Sequence, residues 1–533
     1  MAIQPGNRMA IDLPEKFNVA DHFVDRHVRE GRGGRTAIIC RDRTLTYAQL
    51  AEEVGRVGNG LRKLGVQEEQ RVLLLLPDCP EFVAAYFGVM KIGAVAVPTS
   101  TALRSDDYAY FLGESRAKVL IVHDSLYGEV APALAHQPYL RHVLVCGGLQ
   151  EHHLNWEEWL AGCPPQLDSE PTSKDDVAFW LWTSGSTGRP KASVHLQRDW
   201  IYCCEGYGRG VLDIGPDDIT FSSSKLFHAY GLGNGLMFPF HVGATTALYP
   251  GKPQAKAILE TAQTTQPTLF FSVPTLYAAM LQEIERGGGF DLSSVRLAVS
   301  AAEPLPAEIF RRWKERLGFE ILDGIGSTEL LHIYLSARAG HVRPGSTGQP
   351  VPGYDIRIVE PDGREVPPGV IGDLLVSGES TARCYWNHRE LSRDRMRGKW
   401  FFTGDKYSVD EDGYFWYAGR SDDLFRVSGQ WVSPVEVEST LIEHACVLEA
   451  AVVAYEEETK FHTPKAFVVL KQGVTGNSEL IRELQDFVKK RMTPYKYPRR
   501  IEFVTELPKS AAGKLLRYKL RDWNASHAPA SER

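Results

Sequence analysis

Residues 182–191 read WTSGSTGRPK, and this segment decides how the rest of the chain is interpreted. Its glycines let backbone N–H groups approach an anion closely, its hydroxyls supply further donors, and Lys191 adds a positive charge. These are the components of a polyphosphate-binding loop. A Gly/Ser/Thr run that stands alone is more often a solvated turn, so the assignment depends on the remaining sequence.

The apolar run before the segment indicates its place in the fold. Residues 177–182, VAFWLW, are typical of a buried strand, so the loop lies at a strand end. It differs from the P-loop of nucleoside triphosphatases, which needs Gly-Lys-Ser/Thr at the start of a helix. Here Arg189 and Pro190 precede the lysine, and proline lacks a backbone donor. The segment therefore predicts a different kind of phosphate-binding loop.

Four further short motifs follow the loop in the chain. They are GSTE at 326–329, TGD at 403–405, GRSDD at 419–423 and PKSAAGK at 508–514. In this order, together with the loop, they resemble the motifs of the adenylate-forming enzymes, the superfamily of acyl-CoA synthetases, peptide-synthetase adenylation domains and firefly luciferase. Each motif is weak alone, but five in one order extend the resemblance over nearly the whole chain.

Composition excludes several other classes of protein. At 533 residues the chain is too long for a single core, and 43% hydrophobic with 24% charged residues is typical of a globular protein. A net charge of -7 argues against nucleic-acid binding, which normally requires a basic domain or stripe. The 8 cysteines form no Cys-x-x-Cys pair, so neither a metal site nor a disulfide framework is indicated.

The sequence also predicts the location and the partners. The N-terminus has no apolar core of signal-peptide length, and the aliphatic run at 72–76 is far shorter than the roughly 20 residues that span a bilayer. We therefore expect a cytoplasmic monomer or homodimer whose partners are small molecules, with neither nucleic acid nor a membrane among them.

Alternating apolar strands and amphipathic helices predict an α/β fold with a large N-terminal domain of wound α/β layers and a β-rich subdomain. The first helix shows the pattern clearly. Thr46 and Gln49 form a capping box at its start, and Gly65 ends it. The elements predicted after it are a strand at 71–76, a helix at 80–92 and a strand at 94–97.

Near residue 421 the predicted elements become shorter and more charged. Ser433 and Pro434 form an N-cap and first turn, which marks a helix start. We place the N-terminal domain at 1–421 and a small C-terminal α+β domain at 422–533. Its other predicted elements are strands at 450–454, 465–470 and 500–504 and a helix at 478–490.

The resemblance implies a reaction in two halves. A carboxylate attacks the α-phosphorus of ATP to give an acyl-adenylate and pyrophosphate, and the thiol of CoA then displaces AMP. Negative charge concentrates on phosphates in the first half, so positive groups and Mg²⁺ must be fixed beforehand. By resemblance, the β- and γ-phosphates are bound by Thr183, Ser184, Gly185, Ser186, Thr187, Gly188 and Lys191.

Thr328 and Glu329 match the magnesium and α-phosphate position of the superfamily. A hard cation prefers oxygen ligands, and an acidic side chain beside a hydroxyl supplies them. Taken alone, the GSTE motif is equally consistent with a helix N-cap. With Lys191 and Lys514, these two residues form the predicted catalytic set.

Asp405 matches the residue that accepts hydrogen bonds from both ribose hydroxyls, and Arg420 resembles a ribose and phosphate contact. Thr-Gly-Asp is otherwise a common surface turn. Two segments are expected near adenine, residues 300–304 with Ala302, Glu303 and Pro304 and residues 323–326 with Asp323, Gly324, Ile325 and Gly326. Ser327, the next residue, is also predicted to bind the nucleotide. Ala302 stands where many relatives carry glycine, which predicts a slightly changed backbone approach to adenine. Ala192 follows the loop lysine where glycine is usual, which bears on how that part of the loop moves.

Lys514 resembles the adenylation lysine, which bridges the carboxylate and the α-phosphate from the C-terminal domain. A lysine near a basic C-terminus is usually a solvated charge, but the Pro-x-x-x-x-Gly-Lys pattern favours the catalytic role. The resemblance implies a domain rotation about Asp422. The segment RVSG at 426–429 then replaces Lys514 for thioester formation, with Ser428 and Gly429 beside the pantetheine channel.

Longer segments resemble benzoate-CoA ligases and hydroxybenzoate-CoA ligases. They are DYAY at 107–110, KLFHAYGLGN at 225–234, DGIGSTELLHI at 323–333 and PYKYP at 494–498. By resemblance, the acid pocket is lined by His228, Ala229, Tyr230, Gly231, Gly326, His332 and Ile333. Flat walls with few polar groups suit an aryl ring.

His228 bears on the choice of acid. Amino-acid-activating relatives carry an aspartate at this place to pair the α-ammonium group, so an amino-acid substrate is disfavoured. Benzoate enzymes often have phenylalanine there, so His228 either recognises a hydroxyl or amino ring substituent or is a gate residue outside the pocket. No carrier-protein segment is visible, which makes free CoA the expected thiol.

Two other function classes stay open at this point. A medium- or short-chain acyl-CoA ligase would share every catalytic motif and differ only in the depth of its pocket. A non-enzymatic nucleotide-binding relative would lack Lys514, Glu329 or the loop hydroxyls, and all of these are present.

Overall fold

The computed structural model describes residues 9, 11–183, 189–287, 289–421, 423–427, 430–457, 462–509 and 515–526. Their elements form a mixed α/β structure, as the sequence predicts. Within this part of the chain, no helix combines the length and apolar character needed to cross a membrane.

The first sheet carries the predicted phosphate loop. Its central strands are parallel and buried, as Val95–Pro98 illustrates with burial at every position, because helices cover both faces. In spatial order its strands are Cys384–Tyr385, Lys191–Leu196, Val177–Thr183, Val95–Pro98, Arg71–Leu75, Val119–His123, His142–Cys146 and Leu154–Asn155.

The second sheet is also mainly parallel and supplies the GSTE motif. Strands Leu297–Ser300 and Ile321–Gly326 run side by side, so their carboxyl ends lie at one edge, where open α/β sheets bind ligands. In spatial order its strands are Gln349–Pro350, Ile333–Ser336, Ile321–Gly326, Leu297–Ser300, Leu269–Ser272, Ile219–Ser222, Thr245–Leu248, Thr36–Cys40 and Arg43–Thr46.

One continuous hydrophobic core joins these two sheets and the helices between them. Trp200 is fully buried in it, with its ring centroid 4.9 Å from that of Phe23 and 5.9 Å from that of Phe179. Aromatic contacts of this kind fix the helices relative to the strands. The helices of this part are Arg26–Arg29, Tyr47–Lys63, Pro80–Lys91, Ser105–Ser115, Asp124–Val130, Trp156–Ala161, Asp199–Cys203, Ala229–Leu232, Phe238–Val242, Ala255–Thr265, Pro274–Glu285 and Ala307–Leu317.

The third sheet is antiparallel and corresponds to the predicted β-rich subdomain. Its strands are Asp355–Val359, Gly372–Ser377, Trp400–Val409 and Met396–Arg397, with Phe415–Arg420 paired to Trp400–Val409. The pairing of the last two strands places the TGD motif directly beside the start of the GRSDD motif. Helix Arg389–Arg395 precedes this hairpin.

Residues beyond 423 have a hydrophobic core of their own, formed by side chains such as Val437, Val452 and Leu484. This supports the predicted boundary at 422, which stays a prediction. The elements here are strands Phe425–Val427, Gln430–Val432, Val447–Glu456, His462–Leu470 and Arg500–Phe503 and helices Pro434–Ile442, Ser478–Arg491 and Arg517–Ser526.

The predicted helix signals act as the sequence suggests. The backbone N–H of Gln49 donates to Thr46 Oγ1 over 3.3 Å, and the backbone N–H of Thr46 donates to Gln49 Oε1 over 2.9 Å, which completes the capping box. Ser433 accepts from the backbone N–H of Glu436 over 3.3 Å. Gly65 has a φ of 74°, a left-handed conformation in which a helix readily ends.

Candidate active site

Some of the predicted site residues fall outside the part of the chain that the structure describes. They are Ser184, Gly185, Ser186, Thr187, Gly188, Asp422, Ser428, Gly429 and Lys514. Their roles stay predictions, and the site is described from the residues around them.

Both ends of the predicted phosphate loop are fixed by the first sheet. Thr183 and Lys191 are register partners on antiparallel strands, so the loop lies at the strand end, as predicted. Lys191 is buried, with Nζ 5.7 Å from the centroid of the Tyr385 ring. On the other side, Tyr110 donates a hydrogen bond to the carbonyl of Pro190 over 2.9 Å. Strand pairing and the hydrogen bond from Tyr110 therefore fix the residues at which the loop begins and ends.

The GSTE motif forms a short 3₁₀ turn, Thr328–Leu330, at the end of the second sheet. Ser327 Oγ accepts from the backbone N–H of Leu330 over 3.2 Å, so the motif is an N-cap as well as a candidate metal position. The hydroxyl of Tyr385 donates to Glu329 Oε1 over 2.7 Å. This bond orients the Glu329 carboxylate toward the side of the site where Lys191 lies.

A buried histidine and aspartate hold this turn from behind. His195 Nε2 lies 2.8 Å from the carbonyl oxygen of Thr328, and His195 Nδ1 lies 2.9 Å from Asp199 Oδ2. The carbonyl can only accept, so Nε2 carries a proton, and Nδ1 and Asp199 share another. Burial raises the pKa of Asp199. Neither residue was predicted, because His195 lies in strand Lys191–Leu196 and Asp199 starts the next helix, and this arrangement has no simple sequence period.

Asp405 and Arg420 face each other on neighbouring strands of the third sheet. Arg420 Nη1 lies 3.3 Å from Asp405 Oδ1, and Asp405 is only 6% exposed. Burial raises the pKa of Tyr334, and the charges of Asp405 and Glu329 raise it further, so the two carboxylates lie around one side chain. The third sheet thus brings its predicted residues to the same site as the second.

Asp323 lies beside Ser300, where strand Leu297–Ser300 ends and its parallel pairing with strand Ile321–Gly326 stops. Burial raises the pKa of Asp323 to about 8. Its Oδ2 accepts a long bond of 3.4 Å from the backbone N–H of Leu305, whereas Oδ1 is buried with no hydrogen-bond partner in the described structure. A buried polar atom without a partner is rare and suggests a ligand group, here consistent with the predicted adenine position.

The other predicted adenine segment faces the C-terminal part of the chain. Ala302 has a φ of 78°, a left-handed conformation that agrees with the prediction that glycine is usual here. The backbone N–H of Leu515 donates to Glu303 Oε1 over 2.8 Å. The residue after Lys514 therefore contacts the adenine segment.

The predicted acid pocket is built around His332. Its Nε2 lies 3.3 Å from the carbonyl oxygen of Tyr230, which lies in the short helix Ala229–Leu232. Its ring centroid lies 5.5 Å from that of Tyr207 and 4.6 Å from that of Phe238. A Cβ added at Gly233 would come within 2.2 Å of His332 Cδ2, so only glycine leaves room for the imidazole. Tyr207, Phe238 and Gly233 were not predicted.

A tight turn connects this pocket to the GSTE motif. The backbone N–H of His332 donates to the carbonyl of Leu330 over 2.8 Å, and Leu331 between them has φ 68° and ψ -39°. This is close to a γ-turn with positive φ, which is rare and strained for a residue such as leucine. Glu329 and His332 are therefore separated by a short stretch of backbone with a fixed shape.

The sequence profile of the AMP-binding enzyme family matches residues 24–386, and the profile of the AMP-binding enzyme C-terminal domain matches residues 436–514. The chain belongs to the AMP-binding enzyme family. The predicted motifs of the site lie in or between these two regions.

Individual AMP-binding enzymes are similar over the full length. The chain is 47% identical over 514 residues to benzoate-CoA ligase of Thauera aromatica, which covers 96% of this chain and 97% of that enzyme. It is 42% identical over 517 residues to 4-hydroxybenzoate-CoA/benzoate-CoA ligase of Rhodopseudomonas palustris, covering 97% and 96%. The crystal structure of the anthranilate CoA ligase AuaEII in complex with anthranoyl-AMP superposes with a TM-score of 0.93 at 42% identity, covering 97% of this chain and 98% of that one.

These relatives confirm the predicted resemblance to benzoate- and hydroxybenzoate-CoA ligases and the predicted fold class, a large N-terminal domain followed by a small C-terminal one. In this AMP-binding enzyme both histidines that were predicted for the acid pocket are uncharged at neutral pH. Burial lowers the pKa of His332 to about 3 and that of His228 to about 4. His332 Nδ1 and His228 Nε2 are buried without a hydrogen-bond partner in the described structure.

Proposed function

We propose that this AMP-binding enzyme is an ATP-dependent aryl-CoA ligase of the benzoate-CoA ligase type. It activates benzoate or a substituted benzoate as an acyl-adenylate with release of pyrophosphate, and then transfers the acyl group to CoA with release of AMP. The observation that carries the proposal is a pocket of aromatic rings around His332. His332 follows Glu329 by three positions in the chain, so the pocket adjoins the GSTE motif. Full-length similarity to ligases that act on benzoate and hydroxybenzoate supports it.

The nucleotide would lie between the three sheets. Lys191 and the loop that it ends would bind the β- and γ-phosphates, and Asp405 with Arg420 would bind the ribose. Asp323, whose Oδ1 is buried without a partner in the described structure, would accept a hydrogen bond from the adenine amino group. Each of these groups is held by the fold before ATP arrives, as electrostatic stabilisation of a transition state requires.

The residues around the GSTE motif fit Mg²⁺. Magnesium usually binds through one or two carboxylates together with substrate phosphates and water. Glu329 offers one carboxylate and Thr328 a hydroxyl, whereas the described residues include no group of three or more His, Cys, Asp or Glu side chains that could hold a metal ion. The ion would therefore arrive with ATP and neutralise charge on the phosphates.

The pocket suits a flat acid better than a flexible chain. Tyr207, Tyr230 and Phe238 surround His332, and rings pack well against an aryl group at offset or edge geometries. The two uncharged histidines leave ring nitrogens that could hydrogen-bond a hydroxyl or amino group. The anthranoyl-AMP bound by AuaEII carries an amino group on its ring, which supports a substituted benzoate as a possible substrate.

We propose that the second half-reaction uses the other face of the C-terminal domain. Residues from 422 onward would rotate about Asp422, so that Ser428 and Gly429 replace Lys514 beside the adenylate. A separate C-terminal hydrophobic core supports such a rigid-body rotation, because a unit with its own core moves without unfolding.

A substrate panel tests the proposal. The protein is incubated with ATP, Mg²⁺, CoA and one of benzoate, 2-aminobenzoate, 3- and 4-hydroxybenzoate, butyrate or octanoate, and AMP, pyrophosphate and the thioester are measured. We expect the aromatic acids to give the highest kcat/KM, with AMP and pyrophosphate as products. Preference for octanoate or butyrate would replace the aryl assignment with a medium- or short-chain ligase, and release of ADP and phosphate would exclude the mechanism.

A further inference from the structure

Arg395 lies beside the nucleotide residues but matches none of the predicted motifs. It is the last residue of helix Arg389–Arg395, directly before the hairpin that carries the TGD motif. Its side chain is half-buried. Arg389, Glu390, Arg393 and Asp394 of this helix are exposed and none of its residues is fully buried, so core packing does not explain the direction of this side chain.

The Arg395 guanidinium lies over the backbone of Gly404. A Cβ added at Gly404 would be 2.9 Å from Arg395 Nη1 and 3.3 Å from Arg420 Nη2, so the two guanidinium groups approach the same point. Arg395 Nη1 donates a long hydrogen bond of 3.4 Å to the carbonyl of Phe402. Two positive groups held this close repel each other unless an anion lies between them.

Arg395 also acts electrostatically on Lys191. Burial lowers the pKa of Lys191, and the positive charge of Arg395 lowers it further. The same charge opposes the increase that burial causes in the pKa of Tyr385. Arg395 therefore lies within electrostatic range of the phosphate loop on one side and of the TGD motif on the other.

Among the described residues of the site, the positive groups Lys191, Arg395 and Arg420 outnumber the carboxylates Glu329 and Asp405. Arg420 pairs with Asp405, and Glu329 accepts a hydrogen bond from Tyr385. Among the residues that the structure describes, Arg395 forms no ion pair. A guanidinium has five N–H donors, and its planar fork matches two oxygens of one phosphate.

We propose that Arg395 binds the β- and γ-phosphates of ATP, and the pyrophosphate that leaves, from the side opposite Lys191. The inference deepens the proposed function and rests on it. Arg395 thereby extends the phosphate site beyond the predicted loop to the third sheet. Its role is distinct from that of Arg420, which Asp405 holds toward the ribose.

Two substitutions and a matched control test this role. Arg395→Gln removes the charge and Arg395→Lys keeps it without the fork. The control is Arg397→Gln. The guanidinium groups of Arg395 and Arg397 lie 5.8 Å and 5.7 Å from the centroid of the Phe402 ring, but Arg397 is exposed and donates to the carbonyl of Asp394. For each protein we would measure KM for ATP, benzoate and CoA, the inhibition constant of pyrophosphate, and the melting temperature.

Charged hydrogen bonds are worth about 1.5–3 kcal/mol, so Arg395→Gln should raise KM for ATP and the pyrophosphate inhibition constant by about 10- to 150-fold. KM for benzoate and CoA should stay unchanged, Arg395→Lys should recover part of the loss, and Arg397→Gln should match the wild type. Unchanged ATP and pyrophosphate constants in Arg395→Gln would overturn the inference. So would equal losses for all three substrates together with a lower melting temperature, since these indicate a structural role.

A direct binding measurement separates this inference from the proposed function. Pyrophosphate and a non-hydrolysable ATP analogue are titrated calorimetrically into the wild type and Arg395→Gln with Mg²⁺ and without any acid. Weaker binding of both ligands by the variant supports the role of Arg395, even if no acid of the panel is a substrate. Equal binding would overturn it, even if the wild type proves to be an active aryl-CoA ligase.

Discussion

At the scale of single residues, Asp323 makes stability depend on pH. In the folded protein its pKa is raised from 3.8 to about 8 by burial. Between these values the unfolded chain has lost the proton while the folded chain keeps it, so folding becomes less favourable as pH rises from about 4 to 8. At pH values above the pKa of the folded state, Asp323 is ionised in the folded protein as well, and the burial of its charge lowers the free energy of unfolding by the full amount.

We therefore expect Asp323→Asn to be more stable than the wild type at pH 8, and the difference to shrink toward pH 5. The cost of the buried group suggests a difference of about 1–3 kcal/mol at pH 8. Melting temperatures of the nucleotide-free proteins at pH 5, 6.5 and 8 would measure it. Asp217→Asn is the control, because its side chain is 95% exposed. A difference that does not vary with pH would contradict the raised pKa.

Ala302 offers a second residue-scale prediction. Its φ of 78° lies in the left-handed region, which costs an L-residue about 1–2 kcal/mol and glycine almost nothing. We expect Ala302→Gly to raise the free energy of unfolding by up to about 1 kcal/mol, after the added entropy of glycine in the unfolded chain is subtracted. The neighbouring Ala301→Gly should instead lower it. Chemical denaturation of both variants measures the effect, and destabilisation by Ala302→Gly would show that the strain is absent.

Single residues also show the limits of sequence reasoning. Asp405 and Arg420 were predictable because each belongs to a motif of the superfamily, and their strands pair in register. Tyr385 and Arg395 belong to no such motif. They reach the site only because strand Cys384–Tyr385 joins the edge of the first sheet and helix Arg389–Arg395 ends beside Gly404. Contacts between distant segments of this kind leave no local pattern in the sequence.

At the scale of elements, the buried pair of His195 and Asp199 connects the first sheet to the turn Thr328–Leu330 of the GSTE motif. His195 donates through Nε2 to the carbonyl of Thr328. A small displacement of a catalytic group can cost about 10²-fold in rate. We expect His195→Asn, whose amide cannot reach the carbonyl, to lower the rate of ATP–pyrophosphate exchange by about 10- to 100-fold.

The matched variant His195→Gln places an amide N–H near the position of Nε2 and should retain more of the exchange rate. The exchange rates of the two variants are compared directly if their melting temperatures are equal. Otherwise the rates are first corrected for the difference in stability. If both variants lose the same activity and the same stability, the histidine only fills space in the core, and its hydrogen bond to Thr328 does not position the turn.

Elements themselves were easier to predict than their contacts. Capping residues and apolar periodicity act locally, and they indicated helices Tyr47–Lys63 and Pro434–Ile442 from their first residues. Strand ends were less certain. The predicted strand at 450–454 extends in the structure over Val447–Glu456, because hydrogen bonding to its partner His462–Leu470 continues past the apolar residues.

At the scale of the whole molecule, the C-terminal domain contacts the adenine segment. The bond from the Leu515 N–H to Glu303 brings the chain next to Lys514 close to the nucleotide site. This contact agrees with the role proposed for Lys514 in adenylate formation. We expect Lys514→Ala to lose adenylate formation, because the carboxylate and the α-phosphate are both anions that need a cation between them, and to keep thioester formation from a synthetic aryl-adenylate.

A substitution at the predicted hinge should give the opposite result. Proline fixes φ near -65°, so Asp422→Pro should hold one domain arrangement. We expect it to form adenylate and to transfer the acyl group to CoA poorly. Each half-reaction is measured separately in both variants. If both variants lost both half-reactions equally, domain rotation would not explain why Lys514 serves adenylate formation and Asp422 serves acyl transfer to CoA.

The strained turn at Leu331 has a consequence for how substrate preference can evolve. In the proposed complex His332 would contact the acid and Glu329 would lie on the magnesium side, and the strained turn at Leu331 fixes the backbone between them. A new side chain at 332 that needs more room would move the carboxylate as well, so selectivity and speed would change together. Tyr207 and Phe238 lie on other elements and can be exchanged without moving Glu329. Descendants of this enzyme that accept bulkier acids should therefore differ first at those two positions.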